Sequence, residues 1–140
     1  MQVAFYKGTR PGLPGIYNRV VRVLDGIIYS HAELIFSDGM SASSSYMDKG
    51  VRFKQIDYDP AKWDIFDLPE SFVEFSARQW FETHVGQAYD LSGNIRVMLP
   101  WWPHSKTKWH CTEAIAASLG LKEVDTYGPR KLFERVVGQL

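Results

Sequence analysis

A chain of 140 residues with 45% hydrophobic content is enough for one domain with its own core and short for two, so residues 1–140 are read as a single unit. Sixteen Lys and Arg balance sixteen Asp and Glu, and neither sign forms a block, which argues against nucleic acid or an anionic membrane as a partner. The lone cysteine excludes an internal disulfide and a CxxC zinc pair, so neither a metal nor another cofactor is expected.

No stretch approaches the roughly 20 apolar residues of a membrane span. The start, MQVAFYKGTRPG, lacks the layout of a secretory signal, and a soluble product made in the cytoplasm is the expectation. Val3 to Tyr6 predict a first strand, and KGTRPGLPG, dense in glycine and proline, predicts a loop. Ile16, Val20, Val21, Val23 and Leu24 recur at helical spacing, predicting a helix that faces the core on one side and ends near Asp25-Gly26. In SHAELIF a period of two predicts a strand, with Ser37-Asp38-Gly39 as a hairpin turn and MSASSSY as the returning strand.

After a turn at Asp48-Lys49-Gly50, VRFKQI and WDIFDLP add two strands, which places an antiparallel sheet in the first half. The second half reads as helical. Ser71 with Glu74 has capping-box spacing, and Phe72, Phe75, Trp80 and Phe81 supply an apolar side to a helix running up to Gly86. A short helix follows from Thr112 to Leu119, and a last one from Pro129 to Val137 carries Leu132, Phe133 and Val136 on one face.

Cys111 falls where WWPHSKTKWH gives way to CTEAIAASLG, at the first turn of a predicted helix. Unpaired N–H groups there favour thiolate over thiol, and a free thiol of pKa roughly 8.5 can fall to about 3.5–7.5 in such sites. A buried, inert thiol is the competing reading. A nucleophilic thiol needs a base within hydrogen-bond reach, and His31, His84, His104 and His110 are the candidates. His110 adjoins the cysteine and reads as structural or exposed, His104 lies in a proline-rich loop, and His84 is near a helix end, where it serves the last carbonyls. His31 sits on a strand, which would hold its imidazole rigidly against a helix packed across the sheet.

With Asp38 and Gly39 as a two-residue turn, Glu33 faces Ser44 and His31 faces Tyr46, all on one side of the sheet. Glu33 or a serine such as Ser44 could then accept the imidazole N–H and fix its tautomer. A solvated polar face is the alternative, and a slip of one residue would move the serine to the other side.

The order SHAEL, a Ser-rich strand, GVRFK, GQAYDLSGN and WHCTEAIAASLG resembles the circularly permuted branch of the NlpC-type papain-like cysteine hydrolases. There the histidine strand precedes the cysteine helix, as His31 precedes Cys111. The specific matches are the polar-His-x-Glu strand, Gly86, Tyr89 and Asp90 of a GxxYD signature, and Trp109, Cys111, Thr112 and Glu113 at the helix start. The resemblance covers about Val3 to Leu119.

It implies an α+β, circularly permuted papain-like (NlpC-type) fold, with an antiparallel sheet packed against the cysteine-bearing helix. It also implies attack by Cys111 on an amide, peptide or acyl carbonyl with His31 as base, the oxyanion being met by the Cys111 N–H and the Tyr89 hydroxyl. Relatives cleave cell-wall peptides, and others act on lipid esters, usually through an anchoring apolar segment that is not evident here. A non-catalytic binding module and a deamidating effector are the other readings. Ser44, Tyr46, Trp101 and Trp102 complete the candidate site as substrate-facing residues, although adjacent tryptophans also suit a core or an interface.

Overall fold

The computed structural model describes residues 1–91, 101 and 107–138. Five strands, β1 (Gln2–Tyr6), β2 (His31–Ile35), β3 (Ser41–Ser45), β4 (Gly50–Lys54) and β5 (Trp63–Asp67), form one antiparallel sheet in the order β4-β3-β2-β1-β5. Helix α1 (Leu13–Asp25) lies between β1 and β2 in the chain, and α2 (Glu74–His84), α3 (Cys111–Ser118) and α4 (Pro129–Val136) follow the strands. The architecture is therefore α+β, with the sheet from the first half and most helices from the second.

Alternation along the strands sorts the two faces. Val3 and Phe5 of β1, Ala32 and Leu34 of β2, Ala42 of β3 and Val51 of β4 join Phe81 of α2, Ala114 and Ile115 of α3, and Leu132 and Phe133 of α4 in one apolar core. Phe133 meets Phe5 and Phe66 edge-on at centroid distances of 5.4 and 5.3 Å. Seven of the eight residues of α3 are buried, as suits a short helix covered on all sides. Small side chains in β3, SASSS, let α3 approach β2 and β3 closely. The opposite face carries Ala4, Tyr6, His31, Glu33, Ser43 and Arg52, as the register of the strands requires.

Three expectations need correction. The hairpin after β2 pairs Leu34 with Ala42 and Ile35 with Ser41, one residue away from the expected register. Its loop has three residues, not two: Gly39 N–H bonds the Phe36 carbonyl, Phe36 N–H bonds the Met40 carbonyl, and Gly39 takes the left-handed conformation at φ 83. Because side chains alternate, this slip sends Ser44 to the face opposite Glu33.

Helix α2 begins at Glu74 without a side-chain cap, because the Glu74 carboxylate accepts hydrogen bonds from the N–H and Oγ of Ser37 (2.9 and 2.7 Å) in place of completing a box with Ser71. Ala77 and Phe81 define its buried side, which leaves Phe75 exposed.

Helix α1 exists where expected, but of its five apolar residues expected to face the core only Val21 does. The inward side is Gly15, Asn18 and Val21. Gly15 lies against the chain at Arg10, where an added Cβ would stand 1.8 Å from the carbonyl oxygen, and buried Asn18 donates to Ser30 Oγ at 2.9 Å. The surface beneath α1 thus demands a small and a polar residue, and Ile16, Val20, Val23 and Leu24 are left in solvent.

Candidate active site

Cys111 is the first residue of α3, and His110 is its N-cap. His110 Nδ1 accepts from the Glu113 backbone N–H while the Glu113 carboxylate reaches back to the His110 N–H, a reciprocal capping box that fixes the chain on either side of the thiol. Thr112 Oγ1 donates to the Tyr127 carbonyl, tying the same turn to the segment before α4. On the other side of the sheet from Glu33, Ser44 Oγ donates to the Trp109 carbonyl at 2.6 Å.

The GQAYD segment completes this support. Val51 N–H bonds the Gln87 carbonyl at 2.9 Å, Trp109 N–H bonds the Ala88 carbonyl at 3.0 Å, and Asp90 N–H bonds the Trp109 carbonyl at 3.1 Å. The segment therefore bridges the edge strand β4 to the approach of α3. Gly50 permits it: φ is 144, and a Cβ there would lie 2.0 Å from the Gln87 oxygen. Trp109 Nε1 donates to Gln87 Oε1 at 2.6 Å, and the Trp109 ring meets Trp80 edge-on at 4.9 Å, with His84 stacked on Trp80 at 3.9 Å. His84 Nδ1 lies 2.7 Å from the Trp80 carbonyl, the helix-end role expected of it.

His31 opens β2, and its Nε2 lies 2.7 Å from Glu33 Oε1. With Nε2 committed to the carboxylate, Nδ1 is the ring nitrogen left for another partner. His31 and Cys111 are close enough to shift one another through charge and, in the ionised pair, a hydrogen bond. Burial opposes charge on each. The His31 charge, with help from His110, nonetheless holds the thiol well below its ordinary range, and the thiolate and Glu33 hold the imidazole above its own. The direction favoured is thiolate with imidazolium. His110 Nε2 has no hydrogen bond of ordinary length, and the Glu113 carboxylate lies 3.7 Å from it.

Glu33 is 1% exposed, far from the solvated carboxylate that its alternation allowed. Its second partner was not legible in the sequence: Arg52 Nη1 and Nη2 donate to Glu33 Oε2 and Oε1 at 2.6 and 2.5 Å. Burial pushes the Glu33 carboxyl up, but the hydrogen bonds from Arg52 and His31 outweigh it and hold the group below the usual carboxylate range. Arg52 Nε also donates to Asp48 Oδ2 at 2.9 Å. Arg52 pairs with Ser43 across β3–β4, and only a side chain as short as serine between the two strands lets a guanidinium span from β4 to β2.

A cavity of about 370 Å³ opens beside His31, lined among others by Tyr6, Leu13, Tyr17, Tyr46, Met47 and Tyr89. The hydroxyls of Tyr17 and Tyr89 lie 3.3 Å apart, and Tyr17, raised by burial, also feels the charge of Cys111. Tyr46 meets Tyr89 edge-on at 6.0 Å. Of the expected residues, His31, Tyr46 and Tyr89 line the cavity, while Cys111 and Glu33 are joined to it through His31 and are not at its lining. Ser44 is not part of this group: it braces the Cys111 turn from behind. Trp101 is exposed and is not among the described residues lining the cavity, while Trp102 and His104 lie outside the described residues. Tyr17, like Arg52, was missed, since nothing in a helix read as core-facing marks one tyrosine for a site.

Neither a protein-family model nor a curated protein matches this chain. The chemistry open to the site is read from its own residues.

Proposed function

We propose that the protein is a cysteine hydrolase of circularly permuted papain-like (NlpC-type) fold that cleaves an amide or peptide bond through an acyl-enzyme on Cys111. The observation that carries this reading is the linked series Cys111–His31–Glu33. A thiol at a helix start is paired with an imidazole whose far nitrogen lies 2.7 Å from a buried carboxylate.

The Cys111 thiolate adds to the carbonyl carbon, and the oxygen of the tetrahedral adduct meets the Cys111 backbone N–H at the start of α3 and the Tyr89 hydroxyl. Collapse breaks the carbon–nitrogen bond, and the His31 imidazolium gives its proton to the departing amine. His31 then takes a proton from water, the hydroxide attacks the thioester, and the carbon–sulfur bond breaks to release the acid and restore the thiolate. Glu33 stays ionised throughout, fixing the ring and stabilising its charged form, and Arg52 is a positioning residue that holds Glu33.

One observation favours a second reading, a papain-like binding module with an inert thiol: Cys111 is only 4% exposed. Incubation with p-nitrophenyl acetate separates the two. The enzyme gives a burst of nitrophenol and an acetyl adduct on Cys111 by intact mass, both absent in Cys111→Ala, and in His31→Ala the adduct persists because its hydrolysis is slowed by a factor of roughly 100 or more, as loss of a general base does. The module gives neither burst nor adduct.

A further inference from the structure

Along α1, Leu13, Ile16, Val20, Val23 and Leu24 fall within one narrow outward stripe, the spacing of one helical face. Leu13 is 81% exposed and Val23 80%, although the helix packs on the protein through its opposite side. The stripe runs to the His31 cavity, where Leu13 is joined by exposed Tyr46, Met47 and Leu91 at the lining. An apolar face of this kind, continuous with a cavity mouth, marks an interaction surface.

Charge indicates which. The even balance of the whole chain conceals an uneven distribution: residues 1–24 contain four of the sixteen Lys and Arg, Lys7, Arg10, Arg19 and Arg22, and none of the sixteen Asp and Glu. Arg19 is exposed on α1, and Arg10 lines the cavity. Arg22 is turned inward, donating to the Gly8 carbonyl, Lys7 is paired with Asp64 at 2.6 Å, and Arg10 lies over the Tyr6 ring at 5.5 Å with no carboxylate partner among the described residues, so Arg19, with Arg10 beside it, is the cation left for a partner. Pairing the stripe with its copy in a second chain would set two such cationic segments against each other. An anionic, apolar surface meets both features together.

We propose that α1 docks this protein on an anionic lipid surface, its apolar stripe set into the headgroup boundary and the mouth of the His31 cavity turned toward the lipid. No helix among the described residues is long and apolar enough to cross a membrane. Only the orientation of the cavity rests on the reading of Cys111 as a nucleophile, and docking itself does not.

The test is flotation of the full chain with vesicles of phosphatidylcholine alone or mixed with phosphatidylglycerol. Binding is expected on the anionic vesicles, weakened by salt and by omission of phosphatidylglycerol. Ile16→Ser with Val23→Ser should lower that binding at least about tenfold through lost apolar burial, and Arg19→Gln about fivefold on anionic vesicles only. Both changes are at outward positions, so the thermal midpoint should stay at the wild-type value. Cys111→Ser should float like the wild type, which separates docking from chemistry. Failure of the folded protein to float on anionic vesicles overturns the proposal, as does equal flotation of the double serine variant. A dimer in sedimentation velocity that the same serines dissolve, with no flotation, would assign the stripe to a second copy.

Discussion

Replacing Arg52 with methionine removes the guanidinium that grips Glu33 through two contacts of 2.6 and 2.5 Å, while keeping an apolar side chain of similar reach. Glu33 is 1% exposed, so the change leaves a buried carboxylate with His31, at 2.7 Å, as its remaining charged partner. Loss of one partner of a buried pair costs about 3–5 kcal/mol, a large share of the ~5–15 kcal/mol that holds a domain together. Loss of the Asp48 contact adds little, since that carboxylate is partly solvated. The carboxyl can escape part of the cost by taking a proton, and then it no longer offers a charged acceptor to His31. The imidazole falls back toward its ordinary pKa of about 6.5 and the thiol rises toward about 8.5.

Two readouts follow for Arg52→Met. In urea, the unfolding midpoint should drop by about 1 M or more, given slopes of roughly 1–3 kcal/mol per molar. In alkylation of Cys111, the pH inflection should move upward. Adding Glu33→Gln should recover most of the stability and none of the inflection, because it removes the stranded charge without restoring an anion beside His31. A stability change below about 0.5 kcal/mol together with an unmoved inflection would refute the proposed linkage of Arg52 to the thiol.

Ser44→Ala leaves the Trp109 carbonyl with the Asp90 N–H alone and should cost about 1 kcal/mol in thermal denaturation while leaving the alkylation inflection in place; an upward shift would make Ser44 an orienting group after all. Gly50→Ala should destabilise by about 2 kcal/mol or more, because its Cβ would meet the Gln87 oxygen at 2.0 Å. Gly39→Ala, with nothing within 4 Å, should cost only the left-handed backbone penalty of about 1 kcal/mol, and equal losses at the two sites would contradict the close approach of β4 to Gln87. Glu33 has a folded-state pKa below its unfolded value, so its contribution is present above about pH 4.3 and is lost as pH falls through the lowered value. Melting temperature followed downward from neutral pH should therefore fall less steeply in the Arg52→Met, Glu33→Gln double variant than in the wild type.

What could be read from the sequence divides along physical lines. Strand alternation in VAFY and HAELI and the proline-started α4 are local signals, and each element formed as they indicate. The thiol at a helix start and a histidine on a strand were legible for the same reason. The register of the β2–β3 hairpin was not, because a left-handed Gly39 suits a two-residue type I′ turn and a three-residue loop alike; the first also needs positive φ at Asp38, which this chain does not adopt, and that choice moves Ser44 across the sheet. Arg52 was invisible because its partner lies two strands away, reached over Ser43. Helix α1 misled for a different reason: periodicity detects a stripe but cannot say which side the rest of the chain will cover, and here Gly15 and Asn18 fix the inward side.

The central claim is that His31 holds Cys111 as a thiolate. Its most direct test is the rate of Cys111 alkylation by iodoacetamide across pH, in the wild type and in His31→Ala. An ionised pair predicts an inflection below about pH 7 in the wild type, moved toward about 8.5 by His31→Ala. At neutral pH the two should react at similar rates, because the smaller thiolate fraction of the variant is offset by the greater nucleophilicity of its more basic thiolate, so the inflection carries the test. Slow alkylation with an inflection near that of a free thiol, unchanged by His31→Ala, would contradict it.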